Sequence, residues 1–177
     1  MTEVEKNNPN NTVVFFTSDN GGEKFSDMGV LAGKKMLLWE GGIRVPAFVR
    51  WPGKIKPGVT DQAAITLDWT ATIASIAGAK PKNAFDGKDL LPFLTGKEKV
   101  SDRTLYWRTF QRTKQNAIRE GNWKYLKDEK GEYLFDLSAD PGEKNNLKDQ
   151  QPAKFEALKE KFEKWEATVL KPVPLGG

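Results

Sequence analysis

The sequence predicts an α/β protein, in which a part with buried strands and a helix (residues 1–100) is followed by a small antiparallel sheet subdomain with a C-terminal helix (residues 101–177). Two observations support this fold class. The run 12–17 is short and almost continuously apolar, which suits a strand buried on both faces of a parallel sheet. After residue 101, short strand-like segments follow one another without a helix between them, which is typical of an antiparallel sheet.

In the first part, the cluster 18–22 ends the first strand and forms a loop at its C-terminal end. A second extended run spans 44–50, where Pro46 indicates an edge, a bulge or the beginning of a strand. Asp68 can cap a helix that runs to about Ala77.

In the second part, four strands are predicted over 104–110, 116–119, 123–126 and 133–137. Pro152 then begins a final helix. Its apolar residues recur at steps of three and four: Phe155, Leu158, Phe162, Trp165 and Val169. We expect this stripe to pack on the sheet, and a coiled-coil partner is the alternative.

The composition is that of a globular protein, with 38% hydrophobic and 29% charged residues. The net charge of +4 is spread evenly, because 1–100 hold 13 basic and 11 acidic residues and 101–177 hold 15 and 13. We therefore expect no nucleic-acid partner. No run approaches the roughly 18 apolar residues of a membrane span, and the polar N-terminus predicts no export signal.

The chain contains no Cys and no His. It therefore has no disulfide and no thiol nucleophile. A complete hydrolytic site in this chain would also have to work without the commonest general acid or base.

Asp19 and Asn20 offer two oxygen donors of the kind that calcium or magnesium prefers, on a loop that Gly21 and Gly22 are expected to make flexible. The alternative is an Asx turn that ends the strand.

A pair of lysines, Lys34 and Lys35, lies between the two predicted strands and could hold an anion. The alternative is that both only reach solvent. We expect Glu40 and Arg44 to form a structural ion pair, and Trp39 to be a packing residue.

Several blocks of the sequence, taken in order, closely resemble the sulfatase family. They are Thr17-Ser18-Asp19-Asn20-Gly21, Lys35, Trp39-Glu40-Gly41-Gly42-Ile43-Arg44-Val45-Pro46, Arg50-Trp51-Pro52-Gly53, the stretch from Asp68 to Gly78, Asp86-Gly87-Lys88-Asp89-Leu90-Leu91-Pro92, Leu134-Phe135-Asp136-Leu137, Asp140-Pro141-Gly142-Glu143 and Asn146-Leu147. The resemblance extends from about residue 12 to about residue 170.

This resemblance implies the end of an alkaline-phosphatase-like α/β domain, followed by the small antiparallel subdomain and the helix. It implies that Asp19 and Asn20 are ligands of a calcium ion that holds the sulfate, and that Lys35 contacts the sulfate. The family's nucleophile is a formylglycine made within a Cys/Ser-x-Pro-x-Arg segment, which this chain lacks. The chain also departs from the family where Met36 and Leu37 follow Lys35 in place of Gly and a small hydroxyl residue.

We therefore expect a C-terminal fragment of a sulfatase that is inactive alone, binds calcium weakly or not at all, and in the intact enzyme helps to hydrolyse sulfate esters. The expected partners are the sulfate ester and the missing N-terminal sulfatase portion, with self-association through an exposed sheet edge as a further expectation. The alternatives are a portion of a related phosphate or phosphonate ester hydrolase, and a freestanding non-catalytic accessory domain. The resemblance allows a periplasmic, secreted or lysosomal parent protein and does not choose among them.

Overall fold

The structure, a computed structural model, describes residues 11–110 and 113–171. The polar N-terminus of the sequence spans residues 1–12, and residues 1–10 of it lie outside the described residues. The chain divides into two packing units: the first holds the residues up to Asp19 and Pro46–Asp102, and the second holds Asn20–Val45 and the residues from Arg103 onward. In the part of the chain that is described, no helix has both the length and the apolar character to cross a bilayer.

The first unit contains a two-stranded sheet of β1 (Val14–Thr17) and β2 (Ala47–Arg50). The two strands are antiparallel and place Phe16 opposite Phe48. The sequence predicted a strand here and suggested the interior of a parallel sheet. A short apolar run does not encode the direction of the neighbouring strand, and within the described residues the partner of β1 is antiparallel. Pro46 lies immediately before β2, which matches the predicted alternative that it marks the beginning of a strand.

Helix α2 (Thr66–Ile76) of this unit is anchored by Asp68, which is fully buried. Asp68 lies in the first turn, where one carboxylate oxygen accepts a hydrogen bond from the Ile65 N–H at 2.7 Å. Its other oxygen accepts one from the Lys88 N–H at 2.8 Å. The predicted capping role is confirmed, although the side chain reaches back from inside the helix rather than preceding it.

The second unit is built on a four-stranded antiparallel sheet in the order β3-β4-β5-β6. A short helical turn, α1 (Glu40–Ile43), also belongs to this unit, whereas the turn α3 (Leu91–Leu94) belongs to the first. The four strands are β3 (Thr104–Thr109), β4 (Gln115–Glu120), β5 (Trp123–Asp128) and β6 (Gly131–Asp136). All four were predicted, because alternating apolar residues and tight turns fix an antiparallel meander locally.

One face of this sheet is covered by helix α4 (Pro152–Glu166). The helix contributes the buried residues Phe155, Leu158 and Phe162 to a core that also contains Ile118, Tyr125 and Leu134. The predicted packing of the apolar stripe on the sheet is confirmed. Val169 lies beyond the last residue of the helix.

The opposite face of the sheet packs against the segment 20–45. Its buried core contains Leu38 from that segment and Ala117, Leu126 and Phe135 from the strands. The packing units therefore place 20–45 with the small sheet, whereas the predicted division ran at residue 100. Trp39 is half-buried, with its ring 5.2 Å from that of Tyr133, so its predicted packing role is confirmed.

Candidate functional site

The loop that carries Asn20 is held by close backbone contacts. Gly21 is buried, and its N–H donates to the carbonyl of Gly42 at 2.9 Å. A Cβ atom on Gly21 would lie only 1.8 Å from the carbonyl oxygen of Gly41. The sequence predicted that Gly21 makes this loop flexible. The structure instead gives Gly21 the role of permitting a close approach of two backbone segments.

Lys35 is bonded to the residue next to Gly21, because its N–H donates to the Gly22 carbonyl at 2.8 Å. Its side chain is 40% exposed, and Nζ lies 3.8 Å from a carboxylate oxygen of Glu23, which is itself largely exposed. Such an exposed pair is weak and screened, so the ammonium can exchange this partner for another anion. Lys34 is exposed.

The residues after Lys35 are fixed to the beginning of β4 and to the segment just before it. Met36 adopts a left-handed backbone conformation with φ of 77°, and its carbonyl accepts a hydrogen bond from the Thr113 hydroxyl at 3.1 Å. The Leu38 N–H donates to the side-chain carbonyl of the buried Gln115 at 2.9 Å. The backbone on the C-terminal side of Lys35 is therefore positioned by the small sheet.

A buried charge cluster holds the next part of the loop. The Lys124 ammonium donates to Oε1 of Glu40 at 2.9 Å and lies 2.7 Å from Oε1 of Glu143. The second contact has an ion-pair distance but lacks hydrogen-bond angles. The Glu40 N–H donates to Oε2 of Glu143 at 2.6 Å. We call Glu40, Lys124 and Glu143 the buried triad.

The buried triad corrects the predicted ion pair between Glu40 and Arg44, because Glu40 has Lys124 as its partner and Arg44 is exposed. Sequence reasoning missed Lys124 and Glu143. A signal for Lys124 was available, since it alternates with Tyr125 and lies on the same strand face as the buried Leu126. A lysine at such an inward position requires a buried acidic partner.

The triad contains two carboxylates for one ammonium in a site from which water is excluded. Burial raises the pKa of Glu143 above its ordinary value, and the neighbouring Lys124 ammonium opposes that rise. Glu143 also has a left-handed backbone with φ of 53°. These features make the triad a fixed polar anchor between three segments that are distant in sequence.

Asp19 and Asn20 have the oxygen donors that calcium prefers, and they fit such an ion in part. Asp19 is exposed, and the amide nitrogen of Asn20 donates to the Gly21 carbonyl at 2.9 Å. Within residues 11–110 and 113–171, no group of three or more His, Cys, Asp or Glu side chains is arranged to hold a metal. Calcium takes six to eight oxygen ligands, so these two residues would supply a minority of them.

Comparisons with known proteins identify the family to which the chain belongs. The family model described as N-sulphoglucosamine sulphohydrolase, C-terminal, matches residues 32–168. Arylsulfatase A from Bos taurus is 35% identical over 185 residues, covering 84% of this chain and 36% of the relative. N-acetylgalactosamine-6-O-sulfatase from Bacteroides thetaiotaomicron is 31% identical over 185 residues, covering 86% of this chain and 36% of the relative.

Among solved structures, that of Ps i-CgsB in complex with k-i-k-neocarrahexaose is similar with a TM-score of 0.81 and 30% identity. The match covers 92% of this chain and 38% of that one. The chain thus spans a little over a third of the length of these relatives. Both the family model and the structural likeness cover most of the chain, so the chain belongs to the sulfatase family and matches its C-terminal portion.

Proposed function

We propose that this chain is the part of a sulfate ester hydrolase that supplies Lys35 to the sulfate and Asp19 and Asn20 to a calcium ion. The observation that carries the proposal is the fixation of Lys35. Its backbone is bonded to Gly22 on one side, and the residues that follow it are bonded to the small sheet on the other. A side chain mounted on such a fixed backbone can hold an anion in one place.

Cleavage of a sulfate ester places negative charge on the sulfate oxygens and on the leaving oxygen. An ammonium fixed beside those oxygens stabilises that charge without reorganisation during the reaction. The Lys35 ammonium performs this role, and it releases its weak contact with Glu23 when the sulfate binds. Asp19 and Asn20 would hold a calcium ion in part, and such an ion would supply further charge stabilisation to the sulfate.

The chain contributes no nucleophile of the family's kind, since its 177 residues contain neither Cys nor a Ser-x-Pro-x-Arg segment. We propose that an N-terminal sulfatase portion supplies the nucleophile and the remaining calcium ligands. The first unit offers it a surface: Phe16 and Phe48 stack with ring centroids 4.8 Å apart, yet are 51% and 54% exposed. A stacked aromatic pair left in water favours burial against a partner.

The test compares the 177-residue chain with the longest natural polypeptide that contains it, both with calcium and an aryl sulfate such as 4-nitrophenyl sulfate. We expect turnover by the longer polypeptide only. In that polypeptide, Lys35→Ala should lower kcat/KM by about 10²–10³-fold, as does the loss of one preorganised contact to a charged transition state. Lys34→Ala is the matched control and should change it by less than about threefold, because Lys34 is exposed.

Turnover by the isolated chain would contradict the assignment of the nucleophile to another segment. Activity on phosphate or phosphonate esters with none on sulfate esters would identify the related hydrolase. A natural polypeptide with no esterase activity would instead support a non-catalytic accessory domain.

A further inference from the structure

The helix-covered face of the small sheet continues beyond the end of its helix. In this region Arg108 lies opposite Asn116, and Asn116 lies opposite Lys127, so the three residues form one row across β3, β4 and β5. The next row toward α4 contains Ile118 and Tyr125, which α4 covers. Because α4 ends at Glu166, the row Arg108-Asn116-Lys127 is not covered by that helix.

A cleft of about 230 Å³ occupies this place, and we call it the basic cleft. It is lined by that row, by the neighbouring side chains of Thr109, Phe110 and Lys114, and by Glu166. Three cations and one carboxylate line the cleft, and a second carboxylate, Glu132, lies opposite Lys127 in the same row, whereas the whole chain has 28 basic and 24 acidic residues. The cleft therefore concentrates positive charge that the rest of the chain distributes evenly.

The guanidinium of Arg108 is preorganised. Nη2 donates to the Leu170 carbonyl at 2.6 Å, and Nη1 lies 3.6 Å from a carboxylate oxygen of Glu166. The side chain is only 19% exposed. A guanidinium has five N–H donors in a rigid fork, and these two contacts leave several of them for a ligand.

Three other members of the cleft are accessible. Lys114 is exposed, and Phe110 is 40% exposed. The Lys127 side chain is 52% exposed and has a long contact of 3.6 Å with Glu132, which also pairs with Lys159. That contact is weak enough for an anion to displace it.

From these residues we infer that the basic cleft binds an anionic saccharide unit, and that its ligand is a sulfated sugar of the same substrate, at a position separate from the ester that is cleaved. The cations bind the sulfate, the Asn116 amide hydrogen-bonds a sugar hydroxyl, and the Phe110 ring packs on the apolar face of the sugar. Arg108 and Lys127 are two strand spacings apart, roughly 10 Å, which leaves room for one sugar ring between them. The choice of sulfate over other anions rests on the proposed function.

The test uses the 177-residue chain and a chondroitin 6-sulfate tetrasaccharide as the probe, with binding followed by calorimetry and by the NMR signals of the Asn116 side-chain amide. We expect saturable binding that weakens with salt and shifts those signals. A hyaluronan tetrasaccharide, which has carboxylates but no sulfate, should bind at least about tenfold more weakly, equivalent to the loss of one good charged contact.

Two variants separate a built site from diffuse charge. Lys114→Glu/Lys127→Glu should weaken binding at least about tenfold. The control Lys97→Glu/Lys99→Glu makes the same charge change at exposed positions in the first unit and should weaken it less than about twofold. Asn116→Ala leaves the charge unchanged and should weaken binding about threefold through one lost hydrogen bond.

The outcome is independent of the hydrolysis assay, because Lys35→Ala should bind the probe as the unchanged chain does. Loss of hydrolysis by Lys35→Ala in the longer polypeptide, with retained probe binding by Lys35→Ala in the 177-residue chain, therefore separates the two proposals. Equal weakening by both pairs of charge reversals would overturn the basic cleft as a site. Equal binding of the unsulfated probe, or tighter binding of a single-stranded oligonucleotide, would overturn its assignment to a sulfated sugar.

Discussion

The ammonium of Lys124 lies 2.7 Å from a carboxylate oxygen of Glu143, and both side chains are fully removed from water. Removing two charges from water costs several kcal/mol for each ion, which their attraction offsets only when the geometry is good. Here Glu40 completes the arrangement, with its own carboxylate 2.9 Å from the same ammonium. The triad therefore fixes the position of α1 relative to the small sheet, and each member depends on the other two.

Replacing Lys124 by Met should destabilise the chain by about 3–5 kcal/mol, because it leaves two buried carboxylates without their cation. Urea unfolding followed by tryptophan fluorescence measures the change. The matched control is Lys130→Met, at an exposed turn position, which should change the free energy of unfolding by less than about 0.5 kcal/mol. The combined variant Glu40→Gln/Lys124→Met/Glu143→Gln should recover part of the loss. A loss as small as that of the control would show that the triad is not an anchor.

The raised pKa of Glu143 gives a pH dependence with a definite sign. Between the ordinary glutamate pKa near 4.5 and the raised value, the folded chain binds more protons at this site than the unfolded chain does. The contribution of Glu143 is therefore present at low pH and is lost as the pH rises through the raised pKa. The free energy of unfolding of Glu143→Gln, relative to the unchanged chain, should rise between pH 4.5 and pH 7.

The quantity to follow with pH is the difference in unfolding free energy between Glu143→Gln and the unchanged chain, because other groups also change the total stability. The pKa values of Glu120 and Glu132 are lowered, so these groups make the total stability change with pH in the opposite direction. Because both groups remain in Glu143→Gln, their effects cancel in the difference. A difference that is constant or falls with pH would contradict a raised pKa for the buried Glu143 carboxyl group.

The exposed aromatic pair Phe16 and Phe48 should make the isolated chain self-associate. Sedimentation velocity at increasing concentration measures this tendency. Phe16→Ser/Phe48→Ser should shift the chain toward the monomer, because the variant removes two half-exposed stacked rings from one surface. Val59→Ser is the control, since Val59 is 99% exposed and a single exposed apolar residue is ordinary in a monomer. Equal association of all three proteins would exclude this pair as the contact surface.

The second unit was the part of the fold that sequence predicted best. Its strands and its helix are defined by local alternation and by the spacing of residues such as Phe155 and Phe162, and local patterns are present in the sequence itself. The direction of β1 against β2 is a property of pairing between distant segments, which a four-residue apolar run does not encode. The same reason explains why the triad was missed, because Glu40, Lys124 and Glu143 come together only after folding.

For the candidate site, the resemblance identified Asp19, Asn20 and Lys35, and their roles remain predictions. The structure adds the means by which Lys35 is fixed, including Gln115 and Thr113, which carry no motif. The sequence indicated Gly21 and Gly22 as a source of loop flexibility, whereas in the structure Gly21 permits a close backbone contact. A glycine that permits flexibility and a glycine that permits close contact look alike in a sequence, because both simply lack a side chain.

The close contact at Gly21 leads to a prediction about Lys35. Gly21→Ala would place a methyl group 1.8 Å from the Gly41 carbonyl oxygen. The methyl group is attached directly to the backbone and the oxygen is part of it, so neither can turn aside as the end of a flexible side chain could. The two segments must separate, which should cost about 1–3 kcal/mol or more. Because the Lys35 N–H bonds to the adjacent Gly22 carbonyl, its amide should exchange with solvent faster in the variant.

Hydrogen exchange measured by NMR provides the readout, with Gly58→Ala as the control. A Cβ atom at Gly58 meets no atom within 4 Å, so this substitution should leave the exchange of Lys35 unchanged. Faster exchange at Lys35 in Gly21→Ala alone would tie the position of Lys35 to the backbone contact between Gly21 and Gly41. If Lys35 exchanged at the same rate in both variants, its position would not depend on that contact, and the hydrogen bonds to the small sheet would be sufficient to fix it.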